Sequence, residues 1–251
     1  MDCFDPEAAA AALTATLRDL GTPARAGQEK RYLKSDLEFF GVAVPDLRRA
    51  VEAAVKDRQP AGQRGLSIDR ETGLAWATAL WRERVHERRA AAVEILTLTT
   101  PSLVAEDLAV VEQLIRESLT WAYVDTLAGN IAGTVALRDP AAWKCIDVWA
   151  VDADFWIRRS ALLTLLPGIR AGQPDRPRFV RYSGPMLAEK EFFIRKAIGW
   201  VLRELSRREP EWVAAWTEAH LAEISGVTFR EAVRRLPEGD KSRLELLWAQ
   251  R

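Results

Sequence analysis

Cysteine and histidine are both scarce in this chain of 251 residues, with two of each. Cys3 and Cys145 lie far apart in sequence, which argues against a disulfide framework or a cysteine metal site. His86 and His220 are as widely separated, so a histidine-based metal centre is not expected. No apolar run approaches the roughly 20 residues that a membrane span needs. The opening stretch MDCFDPEAAAAALTATLRDLG lacks a basic region and a cleavage site, so a signal peptide is not expected and the expected compartment is a reducing cytoplasm. Glycine-rich phosphate loops, HExxH, nucleophile elbows and zinc-deaminase signatures are all missing, which removes the commonest routes to phosphoryl transfer, metalloproteolysis and acyl transfer. Net charge is missing too: 36 Lys and Arg balance 36 Asp and Glu.

Helix signals, by contrast, run almost the whole length, and no convincing alternating strand interrupts them. In DPEAAAAALTATLRDLG, Asp5 is placed as N-cap, Pro6 as the first helical residue and Gly21 as terminator. Similar segments include VPDLRRAVEAAVKDRQ, SIDRETGLAWATALWRERV, HERRAAAVEILTLTT, DFWIRRSALLTLLPGIR, EFFIRKAIGWVLRELSRRE and PEWVAAWTEAHLAEIS. The stretch AEDLAVVEQLIRESLTWAYVDTLAGNIAGTVALRD reads as two helices. The count is about a dozen, in pairs recurring every roughly 35 to 45 residues, the period of HEAT-like or armadillo-like helical repeats. The expected fold is therefore all-α, one helical-repeat domain over 1–251, with function on an extended concave surface. The polar breaks RQPAGQRGLS and RAGQPDRPR do not read as interdomain linkers.

Neutrality overall hides a local imbalance. Between Asp152 and Arg208 there are twelve Lys and Arg against six Asp and Glu, a local +6. Such a segment can present a basic face to a polyanion, or can simply supply solvated helix faces. Three segments combine aromatics with charge. In LTWAYVDTLAG, Trp121 and Asp125 fall one turn apart on one helical face. In FWIRRSALLTLL, Arg158 and Arg159 open an otherwise apolar helix, and in KEFFIRKAIGWVLRE, Phe192, Lys196 and Trp200 recur at i, i+4 and i+8. Packing is the ordinary reading of tryptophan at helical spacing, and it serves for Trp76, Trp81, Trp143, Trp149, Trp212, Trp216 and Trp248. A carboxylate beside indoles suits a substrate that develops positive charge, because indole faces attract cations and a fixed carboxylate stabilises an oxocarbenium-like centre. Glycosidic cleavage is such a reaction, and a leaving group that is already cationic dispenses with the second, acidic carboxyl group.

The segments RYLKSDLEFFGVAVPDLRR, TWAYVDTLAG, FWIRRSALL and above all KEFFIRKAIGWVLREL resemble the AlkD-type DNA alkylation-repair glycosylases, in matching order and at closely similar spacing. The resemblance implies a HEAT-like solenoid with a concave, basic DNA-binding face. It also implies excision of cationic N3- and N7-alkylated purines from duplex DNA without metal or organic cofactor, leaving an abasic site. Carried over by position, Asp125 matches the catalytic carboxylate, while Trp121 and Trp200 match aromatics against the lesion's sugar and backbone. Arg159 matches an arginine that contacts the backbone near the lesion, and Tyr32, Phe192 and Phe193 fall at further DNA-facing positions. Lys190, Arg195 and Lys196 are expected to join Arg159 on phosphate. One departure is Ala43, where some relatives carry a glutamine. Its loss widens the expected cleft and leaves open whether small methyl or bulky adducts are preferred. A monomer, bound to the nucleoid when on DNA, is expected. A non-catalytic DNA-binding paralogue and a helical scaffold for protein partners are the competing readings.

Overall fold

The protein is described here by a computed structural model covering residues 4–59 and 65–251. In chain order the helices begin with α1 (Pro6–Leu20), α2 (Pro23–Leu33), α3 (Val44–Lys56), α4 (Arg70–Trp81) and α5 (His86–Thr99). There follow α6 (Leu108–Ser118), α7 (Trp121–Asp125), α8 (Gly133–Arg138), α9 (Trp143–Trp149), α10 (Phe155–Leu163) and α11 (Leu166–Arg170). The last are α12 (Arg176–Met186), α13 (Phe192–Leu205), α14 (Pro210–Ala219), α15 (Gly226–Val233) and α16 (Glu238–Ala249). Among the described residues the one β-type pairing is an isolated bridge between Glu38 and Val85, so the all-α helical-repeat class expected from the sequence is the class observed. None of the described helices is long and apolar enough to cross a membrane. Positions 60–64 of the polar break RQPAGQRGLS, and Cys3, lie outside the described residues.

Local chemistry sets the helix boundaries. Asp5 caps α1, its carboxylate accepting the backbone N–H of Glu7 and Ala8 at 3.0 and 3.1 Å, and Pro6 occupies the first turn. Asp69, Asp154, Asp175, Glu191 and Ser225 cap α4, α10, α12, α13 and α15 in the same way. Helix α2 is absent from the sequence reading, and its packing explains why. None of its side chains is fully buried and few are apolar, so TPARAGQEKRYL carries no apolar stripe.

Contacts divide the chain into two compact units, one comprising Met1–Asp107 with Glu117–Leu127, the other Leu108–Arg116 with Ala128–Arg251. In the first, α4 packs on α5 and α1 on α4, burying Leu13, Leu17, Trp76, Leu80, Ile95 and Leu96. In the second, α13 packs against α10 and α15 over Ile157, Leu162, Ile194, Ile198 and Leu202. The approach of α13 to α15 depends on Gly199. A Cβ there would stand 2.6 Å from the Cβ of Glu231 and 3.1 Å from the carbonyl oxygen of Thr228. Gly199→Ala is expected to cost about 2 kcal/mol through the forced separation of these helices, read as a lower urea midpoint. An unchanged midpoint would mean that α15 moves aside freely.

Candidate active site

Helix α7 is brought into place by an abrupt break. Leu119, exposed and in the left-handed conformation at φ 52°, ends α6. The buried Thr120 then starts α7 as its N-cap, its hydroxyl accepting the N–H of Ala122 at 3.4 Å. The turn therefore opens on Trp121 and closes on Asp125, both half-buried. Beyond Asp125 the backbone widens to a π-helix over Thr126–Ala132 before α8. Such a widening shifts the facing of side chains by an extra residue, and it recurs at functional sites.

The residues around α7 form a groove of about 280 Å³, lined by Tyr32, Val42, Leu47, His86, Trp121 and Tyr123 among others. Tyr32 is 71% exposed and meets Trp121 edge-on, with ring centroids 5.9 Å apart. Ala43 begins α3 without a side-chain cap, between Val42 and Val44, which both line the groove. That rim is consequently apolar. Glu29, from α2, also lines the groove, and burial pushes its carboxyl up despite the opposing pull of Arg25.

Two consecutive residues at the start of α5 organise the groove, and neither was singled out from the sequence. His86 stacks on Phe39, with centroids 4.6 Å apart, and its Nδ1 lies 2.5 Å from the Tyr123 hydroxyl. Burial pulls the imidazole below its ordinary range, against the carboxylate of Glu87, and burial likewise pushes the Tyr123 phenol up. Glu87 is completely buried, and its carboxylate accepts the backbone N–H groups of Phe40, Gly41 and Val42 at 2.9, 2.7 and 3.1 Å. Gly41 adopts φ +82°, and a Cβ there would meet the Thr22 carbonyl at 2.2 Å, so only glycine fits that turn. Trp81 donates to Glu117 at 2.9 Å and packs edge-on against Tyr123, 5.5 Å between centroids, closing the far side of α7.

The remaining sequence-derived positions lie in the second unit, around α10 and α13. Arg159 is only 2% exposed, donates through Nη1 to the Phe193 carbonyl at 2.6 Å and lies 5.7 Å from the Phe193 ring. Its neighbour Arg158 makes a two-pronged bond to Glu189, at 2.9 and 2.7 Å, and Arg195 donates to the Glu189 carbonyl at 2.8 Å. Phe192 is exposed and packs edge-on against Phe193, while Lys190 is exposed in the irregular segment before α13. Trp200 is half-buried, with the Arg203 guanidinium 6.0 Å from its ring. Lys196 and Arg203, one turn to either side, both bond the carboxylate of Glu231 from α15. Burial would raise that carboxyl, yet the two cations hold it below the usual carboxylate range.

These pairings change the meaning of the local +6. Asp147, Glu209 and Glu231 all lie outside 152–208, yet they bond cations within it. Asp147 takes Arg178 and Arg181, Glu209 takes Arg176, and Glu231 takes Lys196 and Arg203. A count along the sequence therefore exceeds the charge offered to a partner. The tryptophans assigned to packing behave accordingly. Trp76, Trp81, Trp149 and Trp216 are buried, and Arg178, Arg176 and Arg251 cover the rings of Trp143, Trp212 and Trp248. Among the described residues no cluster of three or more His, Cys, Asp and Glu has the makings of a metal site.

Comparison with known proteins adds a family. The model for a family described as DNA alkylation repair enzyme matches residues 13–236. Among solved structures, a predicted DNA alkylation repair enzyme from Enterococcus faecalis is similar at a TM-score of 0.73, with 20% sequence identity. The likeness covers 87% of this chain and 97% of that one, and at such identity it shows the fold alone. No curated protein matches the chain.

Proposed function

The chain belongs to the DNA alkylation repair enzyme family, and on that premise we propose that it is a DNA glycosylase for cationic N3- and N7-alkylated purines in duplex DNA. The observation that carries this reading is the single turn α7, in which Trp121 lines an aromatic groove and Asp125, half-buried four residues on, directly precedes Thr126 of the same lining. Alkylation at N3 or N7 leaves a purine positively charged, so it departs as a neutral base when the glycosidic bond breaks, and positive charge collects on the deoxyribose. A carboxylate fixed in partly water-free surroundings stabilises that charge much better than bulk water does. In this reading Asp125 faces the sugar and orients the water that adds to its anomeric carbon, and Trp121 offers its indole face to the cation. An abasic site and the free neutral alkylpurine result, with no proton required from a general acid, and the proton that the added water gives up passes through the Asp125 carboxylate to solvent. The family resemblance assigns Trp200 to the same substrate, and assigns Tyr32, Arg159, Lys190, Phe192, Phe193, Arg195 and Lys196 to the DNA.

The direct test is incubation of the protein with a duplex carrying one N7-methylguanine, followed by alkali to cut abasic sites. Strand cleavage at the lesion is expected, and intact strands after long incubation at excess enzyme would refute the reading. Affinity for the duplex is expected to fall with salt, the logarithm of the binding constant declining by about 0.9 for each phosphate neutralised per unit of log salt concentration. Titrations of a labelled duplex at several salt concentrations measure this, and a flat response would exclude phosphate contacts as the source of binding.

A further inference from the structure

The imidazole of His86 is held more tightly than a side chain that merely fills a groove. Its backbone N–H donates to the Glu38 carbonyl at 2.8 Å, and the Glu38 N–H donates in turn to Arg84 at 3.0 Å. Its ring is stacked at 16° to Phe39. From this clamped position Nδ1 reaches the Tyr123 hydroxyl, and Tyr123 is the central residue of α7, between Trp121 and Asp125. The same hydroxyl lies 3.3 Å from the His86 carbonyl, a longer contact. The ring of Tyr123 is almost wholly buried against Trp81, so its hydroxyl is the one polar atom through which it can orient the turn.

We propose that His86 is a positioning residue for excision, its neutral imidazole accepting the Tyr123 hydroxyl and so fixing the angle at which α7 presents Trp121 and Asp125. The proposal rests on the reading of Asp125 as the reacting carboxylate. Protonation acts against it in two ways. An Nδ1–H is no longer an acceptor, so the hydroxyl must turn from a 2.5 Å partner to one at 3.3 Å. A cationic ring also places positive charge on the wall of the groove that Trp121 lines, opposing both a cationic lesion and the charge that grows on its sugar. The charged and titratable groups around this wall are Glu87 and Glu94 from α5, Glu29 from α2, Arg48 from α3 and Tyr123 itself, with the buried Arg89 of α5 acting on the Tyr123 hydroxyl from the Trp81 side. Glu87 favours the protonated ring, but its carboxylate is already engaged by three backbone N–H groups.

The sign follows from burial. The folded state holds the imidazole below its ordinary range, so the unfolded chain binds the proton first as pH falls. The stabilising effect is present above an ordinary histidine pKa of about 6.5 and is lost as pH drops below it. The folded ring itself takes up its proton only on the acid side of that ordinary value. Single-turnover excision in the wild type is therefore expected to hold its rate from pH 7.5 down to it and to slow only at lower pH. A urea titration at each pH separates loss of rate from loss of fold. Tyr123→Phe keeps the ring packing and is expected to excise about 10-fold more slowly at pH 7.5 while binding the duplex as before. His86→Gln is expected to be slow and to lose the acid-side decline. A wild-type rate for Tyr123→Phe, or an unchanged acid-side decline in a folded His86→Gln, would overturn the proposal. Should His86→Gln not fold, Tyr123→Phe decides alone. Asp125→Asn assayed beside them separates the two readings. If it abolishes excision while Tyr123→Phe does not slow it, the positioning role alone is wrong. If Asp125→Asn excises normally, the reading of the reaction fails first, and positioning for excision falls with it.

Discussion

Asp125→Asn is expected to fold as the wild type does and to excise N7-methylguanine about 10²–10³-fold more slowly, the loss that removing one preorganised electrostatic group from a transition state produces. The substitution keeps the size and planarity of the side chain and removes its charge. Asp125 is half-buried at the last position of α7, four residues from Trp121. A reaction that develops an oxocarbenium-like centre demands a negative charge at this position. The deficit should therefore fall on the single-turnover rate, with affinity for the alkylated duplex within about twofold of wild type, the pattern of an interaction made only in the transition state. Rates at saturating enzyme, with a urea titration of the same preparation, separate chemistry from folding. A variant with the wild-type rate would end the assignment of Asp125 as the reacting group.

Glu87→Ala is expected to be among the most destabilising single changes in the first unit, at about 3–5 kcal/mol, the range seen when a buried charged partner is deleted. Its side chain is fully enclosed, and its two oxygens satisfy three backbone donors of the segment that leads into α3. Deleting the carboxylate strands those donors in the interior, where each unpaired group costs about 1–3 kcal/mol. Water cannot readily replace it, since Phe40, Gly41 and Val42 are themselves buried. Glu87→Gln retains one acceptor oxygen and should lose less. Urea denaturation of both variants gives the values, and amide exchange at Phe40, Gly41 and Val42 reports the local effect. A Glu87→Ala midpoint equal to the wild type would mean that this segment is solvated in a way its burial contradicts.

The helical class was legible in the sequence because its signals are local. Capping acids, first-turn prolines and apolar stripes each act within a few residues, and they mark α1, α3, α4, α13 and α14 in the chain as they do in the fold. Helix α2 escaped because a helix with no fully buried apolar side chain has no stripe to read. Trp121 and Asp125 stood out because an acid within an apolar run is locally anomalous. His86 and Glu87 did not, because HERRAAAVEILTLTT reads as an ordinary solvated helix start. What distinguishes them is burial and partners some 40 residues away, Tyr123 for one and the Phe40–Val42 backbone for the other. The net charge of the basic segment was not legible for the same reason, since acids that answer it come from Asp147, Glu209 and Glu231, beyond its ends.

Glu231 carries that last point into thermodynamics. A lysine that already has a carboxylate at hand carries its own internal counterion, covalently attached to the same chain. To bind phosphate, Lys196 or Arg203 must exchange one anion for another, and the exchange frees fewer ions into solution than the capture of phosphate by a solvated cation. Each such residue thus adds less to the ionic-strength dependence than its formal charge suggests. The slope measured on a duplex will count the cations that come to DNA unaccompanied, a smaller number than the arginines and lysines written along α10 and α13.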